Sequence, residues 1–364
     1  MTTGTVRIHR HDLEAFCARV FEANGLAPSD AAQAAEVLVA ADARGIISHG
    51  VARLVRYVNG LETGQMVPGA PVEVVMETPT SLVLDAHGAM GAPVSIRAMA
   101  ACIDKARAGG AAFACVRNSN HFGIAGYYAM MALDADMLGI AMTNTAALAV
   151  PTFGRQMMYG TNPIAFAAPA GEEGAFVLDM ATSVVPRGKI EGYDRAGKTL
   201  PEGWAVDRTG HTARDPGPLL DDMTAQVGGG LLPLGGEGEM FSGHKGYGLA
   251  VMVDILCSVL CAAPFGPALF DTPTSSGRVS HFFGAIRIDT FRDPGDFRRD
   301  MDRMLHELRT SPRAEGEARI YFAGLKEREA EAEAARLGIP VLRQTYESIC
   351  AVGEACGVAA PPLA

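Results

Sequence analysis

Ser48, His49 and Arg53 stand close together in "RGIISHGVARLVRY", residues 44–57. Imidazole is the side chain whose ordinary pKa lies nearest neutrality, so it gives and takes protons at physiological pH. A guanidinium takes a carboxylate through two parallel hydrogen bonds. The stretch follows a helix predicted over 29–44, with Ser29 as N-cap and Gly45 as the C-terminal stop. A second helix, predicted over 49–62, turns Val51, Leu54, Val55 and Val58 to one apolar face. Ser48 is placed to cap it, with His49 in its first turn and Arg53 one turn later on the same face. Free N–H groups at that end favour an anion. The pattern is that of a carboxylate clamp beside an ionisable imidazole; the bland alternative is a capped surface helix.

Other polar residues fall at strand ends. "RNSNHFGIAGYY" leaves a strand at Asn118, passes His121 and enters a helix after Gly123, a turn whose outward N–H groups suit a phosphate. "GTNPIAF" offers Thr161 and Asn162, and "FVLDMATS" ends a strand in Asp179, whose carboxylate accepts hydrogen bonds from a ribose or an amide. "GHKGYG" supplies His244 and Lys245 in a loop, as a contact for anionic phosphate. Singly, each has an ordinary reading: Asn and Ser occupy turns, Asp closes strands, loop lysines are solvated. Together they read as a distributed cofactor site. No G-x-G-x-x-G joins a strand to a helix, which argues against a Rossmann fold. P-loop, H-E-x-x-H and G-x-S-x-G patterns are also missing, and no metal site stands out among the 9 histidines.

These residues need a scaffold. Helices are expected over 12–24, 29–44, 49–62, 91–108, 125–135, 246–262, 297–310, 326–337 and 344–356. Strand-like runs such as "VEVVMET", "SLVLDAHG", "AAFACVRN", "LGIAMTNT", "NPIAFAAPA", "AFVLDMA" and "HFFGAIRIDTF" interleave with them, which gives an α/β or α+β core. Residues 207–240, rich in Gly, Pro and Asp, are the expected mobile segment. With 364 residues, 20% charged, the chain builds a large core without crosslinks. Its mean hydropathy of +0.13 points to much buried surface, part of it between subunits. A net charge of −10 argues against a nucleic-acid groove. Seven cysteines without a Cys-x-x-Cys pair fit reduced thiols in a cytoplasm, with Cys257 and Cys261 packed in a core. "MTTGTVRIHRHDLEAF" lacks a signal peptide's apolar run. "GYGLAVMVDILCSVLCAAPFG" carries Asp254 and reads as a buried helix, not a membrane span.

The combination "ISHGVAR", "NSNHFGIAGYYA", "GTNPIAFAAP", "FVLDMATSVVPRGKI", "LPEGWAVD" and "HKGYGLAVMVDIL" closely resembles the second malate/L-lactate dehydrogenase family. That family includes malate, sulfolactate and ureidoglycolate dehydrogenases, diketogulonate reductases and cyclic-imine reductases. The match runs in order from about residue 10 to about 340. The resemblance implies a non-Rossmann NAD(P)-binding fold, with a helical domain beside an α/β domain on a mixed sheet, assembled as a homodimer. It places the helical domain over 1–70, joined by C-terminal helices over 297–364, and the α/β domain over 71–296. By motif, His49 matches the proton donor, Ser48 its relay partner and Arg53 the ligand of the substrate carboxylate. His121, Phe122, Gly123, Ile124 and Ala125 match a cofactor-binding turn, and in some members this histidine is itself catalytic. Thr161, Arg187 and Gly188 match substrate contacts; Asp179, Met180, Ala181, His244 and Lys245 match cofactor contacts.

Three departures stand out. "TNTAALAVP" has alanines where the family has a proline, "YFAGLKERE" replaces a Pro-Gly-Glu-like cofactor segment, and Lys189 stands where the cyclic-imine branch carries an aspartate. The expected activity is interconversion of a small 2-hydroxy acid and its 2-oxo acid with NAD or NADP. The alternatives are a cyclic imino acid reductase and a non-catalytic oligomeric binding protein on the same fold. A helix N-terminus lowers the pKa of His49 and a bound carboxylate raises it, so the reading expects a value near neutrality.

Overall fold

The computed structural model describes residues 4–272 and 274–364. Its first region holds β1 (Thr5–Ile8), α1 (Arg10–Ala23), α2 (Pro28–Ala43), a 3-10 turn (Val51–Arg53) and α3 (Leu54–Glu62). Pro28 opens α2, because its fixed φ and missing N–H suit a first helical position. The cap is therefore Ala27, without a side-chain bond, and not the expected Ser29. Gly45 does end the helix, at φ +75°. On α3 the buried residues are Leu54, Tyr57, Val58 and Leu61, whereas Val55 is exposed. Tyr57 takes the inward place that the sequence reading gave to Val55.

A seven-stranded mixed sheet follows. Its strands are β2 (Glu73–Glu77), β3 (Ser81–Asp85), β4 (Ala111–Ser119), β5 (Met137–Thr143), β6 (Ile164–Ala168), β7 (Phe176–Met180) and, after β8 (Ala205–Val206) and β9 (Gly230–Leu231), β10 (Val279–Arg287). The order is β2-β3-β4-β10-β5-β6-β7. Only β3 and β4 run parallel; α4 (Gly91–Gly109) makes their crossover, and every other neighbouring pair is antiparallel. This is the expected α/β class without a doubly wound parallel sheet. Alternate residues of β10 serve opposite faces, as the two-residue period requires. Phe283 packs with Met99 of α4 and Tyr128 of α5 (Ala125–Met130). Phe282 packs on the other side with Val253 and Cys257 of the later helix Gly243–Cys257.

Between these strands lies a third packed region. It is built by α6 (Arg187–Arg195), β8, α7 (Pro216–Ala225) and β9, around Tyr159, Ile190, Leu219 and Leu231. Here the structure corrects the expected mobile segment. Asp215 caps α7 by accepting the Gly217 N–H, and β9 pairs with β8. Next comes α8 (Gly243–Cys257), where the sequence reading expected a loop up to 246 and then a buried helix. Gly246, Ala250, Val253 and Cys257 are buried at helical spacing, Val253 and Cys257 against the sheet and Ala250 in the third region, but Met252 and Ile255 point outward and exposed. After α9 (Pro294–Thr310) the chain returns to the first region through α10 (Leu325–Leu337), β11 (Ile339–Leu342) and α11 (Arg343–Ala355). Ile339, Val341 and Ile349 join the core of Phe16, Leu38 and Tyr57, and β11 pairs with β1. The helix α9 instead sets Leu305 against Phe322 and Leu325, beside Phe176 of β7.

One buried carboxyl fixes the segment after α2. Asp42 accepts the Val51 N–H at 2.7 Å, and a Cβ on Gly50 would stand 2.1 Å from its carboxyl carbon. Asp42, and not Ser48, is thus the cap. Burial pushes its pKa up to about 7 against the ordinary 3.8. Between those values the unfolded chain is ionised while the folded chain keeps the proton. Stability should therefore fall as pH rises through this window and level off above it, by up to about 1.4 kcal/mol per pH unit. Asn at position 42 keeps an oxygen for Val51 and does not titrate. Asp42→Asn should therefore gain urea resistance relative to the wild type on going from pH 5 to pH 8. Parallel pH dependence of the two urea midpoints would contradict this.

Candidate active site

Pinned by Asp42, the segment 47–53 presents His49 and Arg53 to one cavity. The Ser48 hydroxyl and His49 Nδ1 are 2.9 Å apart, which leaves Nε2 without a partner among the described residues. Arg53 folds back so that its Nε donates to the Ser48 carbonyl at 2.7 Å. Its outer nitrogens stay free to meet a ligand. The first N–H of this turn, that of Val51, is taken by Asp42 and is not available to an anion.

The opposite wall is the turn after β4. Asn118 (φ +56°) and Gly123 (φ +85°) bend it, and Asn120 fastens it by donating to the Gly88 and Ala89 carbonyls at 2.8 and 3.0 Å. Gly91 must be glycine, since a Cβ there would lie 2.1 Å from the Asn120 carbonyl. His121 stacks on His49 with ring centroids 5.4 Å apart. Its Nδ1 meets the Tyr57 hydroxyl at 2.5 Å and the Gly123 N–H at 3.3 Å. Because the amide can only donate, Nδ1 presents its lone pair and the ring proton sits on Nε2. Phe122 lies flat on His281, 4.4 Å between centroids and 8° between planes. His281 is buried in the sheet, bridging Thr143 Oγ1 (2.8 Å) and Ser119 Oγ (2.9 Å), and burial pushes its pKa down to about 3. It is a neutral platform for the turn.

The cavity between these walls measures about 270 Å³ and is lined by His49, Arg53, His121, Phe122 and Gly123. Thr161, Arg187 and Gly188, anticipated from motifs, line it too, joined by Asn120, Asn144 and Thr145. Asn162 does not line it. It holds the floor from behind, donating to the Ala250 carbonyl (2.9 Å) and to Asp254 (3.0 Å), which explains the acid inside the apolar α8.

A second cleft, about 300 Å³, opens beyond the turn. Ile124 and Gly126 form one side, Asp179 the floor, and Tyr321, Gly324 and Lys326 the other side. Asp179 accepts the Gly126 N–H at 2.7 Å. The segment that departs from the family pattern, "YFAGLKERE", is thus beside Asp179. Ala125 is buried beneath the turn, and Met180 and Ala181 follow Asp179 without lining either cleft. His244 and Lys245 stand exposed in the first turn of α8 and line neither cleft.

A family model described as malate/L-lactate dehydrogenase matches residues 8–350. The chain belongs to the malate/L-lactate dehydrogenase family. It is 41% identical to a malate dehydrogenase of Pyrococcus abyssi over 97% of this chain and 96% of that one. It is 37% identical to an L-sulfolactate dehydrogenase of Methanocaldococcus jannaschii, over 80% of this chain and 81% of the other. The crystal structure of a malate dehydrogenase from Entamoeba histolytica superposes with a TM-score of 0.94 at 33% identity, covering 98% of this chain and 100% of that one. Relatives that carry dehydrogenase names over 97% and 89% of the chain make it an oxidoreductase.

Several site groups of this family member escaped the sequence reading. Tyr57 was hidden among helix residues, although it lies one turn beyond Arg53. The lone His281 in the apolar strand "VSHFFGAIR" was the available signal for the platform. Burial, then the charges of Arg53 and Arg56, hold the pKa of His49 down at about 4. His49 should stay neutral from pH 8 down to about pH 5. A ring-proton NMR titration, assigned through His49→Asn, checks this; a midpoint near the ordinary value of about 6.5 would be wrong for this site.

Proposed function

We propose that this oxidoreductase interconverts a small 2-hydroxy acid and its 2-oxo acid with NAD or NADP. The observation that carries the reading is the shared cavity of His49, with Nε2 free, and Arg53, with its outer nitrogens free. The donor set fits a nicotinamide dinucleotide. Asn120, Asn144 and Thr145 offer amide and hydroxyl groups to a carboxamide in the first cavity. Asp179 offers an acceptor for ribose hydroxyls in the second cleft. The turn 121–126 runs between the two, and neither space alone holds an extended dinucleotide. When bound, the nicotinamide supplies or accepts the hydride.

The chain's own groups do the rest. Arg53 holds the substrate carboxylate and so orients the neighbouring carbon. His49 Nε2 takes the hydroxyl proton during oxidation and returns one to the carbonyl oxygen during reduction. Ser48 keeps the ring in place through Nδ1. His121, held neutral by burial and then by His49 and the charges of Arg56 and Arg53, is oriented by the Tyr57 and Gly123 contacts, packs behind His49 and shapes the wall. Reduction of a cyclic imino acid draws less support, since Lys189 leaves the cavity and lies over Trp204 at 4.7 Å. The homodimer is proposed over the outer face of α8. There Met252 and Ile255, with Val259 and Leu260 of the 3-10 turn that follows it, are exposed apolar side chains of the kind that monomers rarely gather in one patch. Sedimentation at micromolar concentration tests it, and a monomer refutes it.

A panel of 2-oxo acids assayed with NADH and NADPH in parallel tests the reaction; no turnover with either cofactor removes it. Two variants test the roles. Arg53→Lys keeps the charge but loses the fork, and should lower kcat/KM about ten- to hundredfold with cofactor KM unchanged. His49→Asn should lower kcat about a hundredfold or more while substrate still binds. If Arg53→Lys is silent, the carboxylate sits elsewhere.

A further inference from the structure

The cavity holds more positive charge than one carboxylate requires. Four arginines line it: Arg53, Arg56, Arg187 and Arg278. Arg56 meets Asp271 at 3.8 Å, and Arg187 Nε donates to Glu191 at 3.0 Å. His49 and His121 are neutral. Arg53 and Arg278 are left with no acidic partner among the described residues; their protein hydrogen bonds go to the Ser48 and Gln65 carbonyls.

The side chain of Arg278 is held in place. It crosses Gly88, where a Cβ would stand 2.0 Å from its Nη1, and donates to the Gln65 carbonyl at 3.2 Å. Its own backbone sits at φ +54°, a conformation that costs a non-glycine residue energy. A half-buried guanidinium with no counter-charge is unfavourable unless a ligand supplies one. Its place in the cavity separates two possible ligands. Residues 276–279, Gln65 and Met66 line the first cavity only, whereas the second cleft lies beyond the turn 121–126. A dinucleotide that continues into the second cleft leads away from Arg278.

We propose that Arg278 selects substrates with two anionic groups, taking the distal carboxylate or sulfonate while Arg53 takes the carboxylate beside the reacting carbon. This rests on the 2-hydroxy acid reading above and adds the substrate class and the residue that sets it.

The test compares wild type, Arg278→Gln and Arg278→Lys with oxaloacetate, 3-sulfopyruvate and pyruvate. The wild type should prefer both dianions to pyruvate. Arg278→Gln should lower kcat/KM for the dianions about ten- to hundredfold and for pyruvate less than about threefold, with Lys in between and cofactor KM unchanged. An equal fall for pyruvate, a raised cofactor KM, or a wild type indifferent to the second anion would each overturn the proposal. Retained pyruvate turnover shows that the variant is folded. If no 2-oxo acid is turned over at all, the functional reading fails separately. Calorimetric titration of malate against lactate, in the presence of cofactor, then still decides: selective loss of malate binding in Arg278→Gln supports the role, and equal affinities refute it.

Discussion

The hydrogen bond from Val51 N–H to the buried Asp42 carboxyl is the constraint on which the site depends. It joins the buried end of one helix to the start of the next. It also leaves no room for a side chain at Gly50, and so forces the chain to turn between Ser48 and Val51. A short rigid turn has one consequence for chemistry. His49 and Arg53 emerge on the same side, with the Ser48 carbonyl and hydroxyl holding one each. Loops carry function best when a scaffold over-determines them, and here the scaffold is a single buried acid.

The second wall arises from a different region and meets the first through Tyr57. Its ring is buried in the helical core with Phe21, 6.3 Å between centroids, and its hydroxyl reaches His121 in the sheet region. A buried phenol requires a polar partner, so the contact that satisfies Tyr57 also fixes the orientation of His121. Beneath it, Phe122 rests on His281, which ties β4 to β5 through Ser119 and Thr143. Each imidazole in this stack is thereby assigned a task. One is free at Nε2, one is a braced wall, and one is a buried strut.

How much of this was legible in the sequence follows from what local patterns encode. Helical and strand periodicity located most long elements, and family motifs brought Thr161, Arg187 and Gly188 to the cavity that His49 and Arg53 share. What failed was of another kind. Ser29 and Ser48 have the chemistry of caps, but Pro28 and the distant Asp42 occupy those roles. The Gly- and Pro-rich stretch 207–240 looked loose because its core partners, such as Tyr159 and Ile190, lie far away in sequence. The α8 helix looked uniformly apolar, so no pattern distinguished the face against the sheet from the exposed one. Arg278 could not be recognised from its neighbours, because its significance lies in what it lacks. Pairing of charges is a property of the folded cavity.

That charge pattern couples binding to proton transfer. Burial, then Arg53 and Arg56, depress the pKa of His49, so its imidazole is neutral and ready to accept a proton. An anion that settles on Arg53 cancels part of that field and raises the affinity of His49 for a proton. Linkage is reciprocal, so a protonated His49 binds the anion more tightly in turn. Reduction of a 2-oxo acid consumes one proton at the carbonyl oxygen. In the proposed reaction, the substrate's own carboxylate would therefore help to load the group that delivers it. The neutral resting state serves the reverse direction, in which a hydroxyl has to lose its proton to a base that is already free.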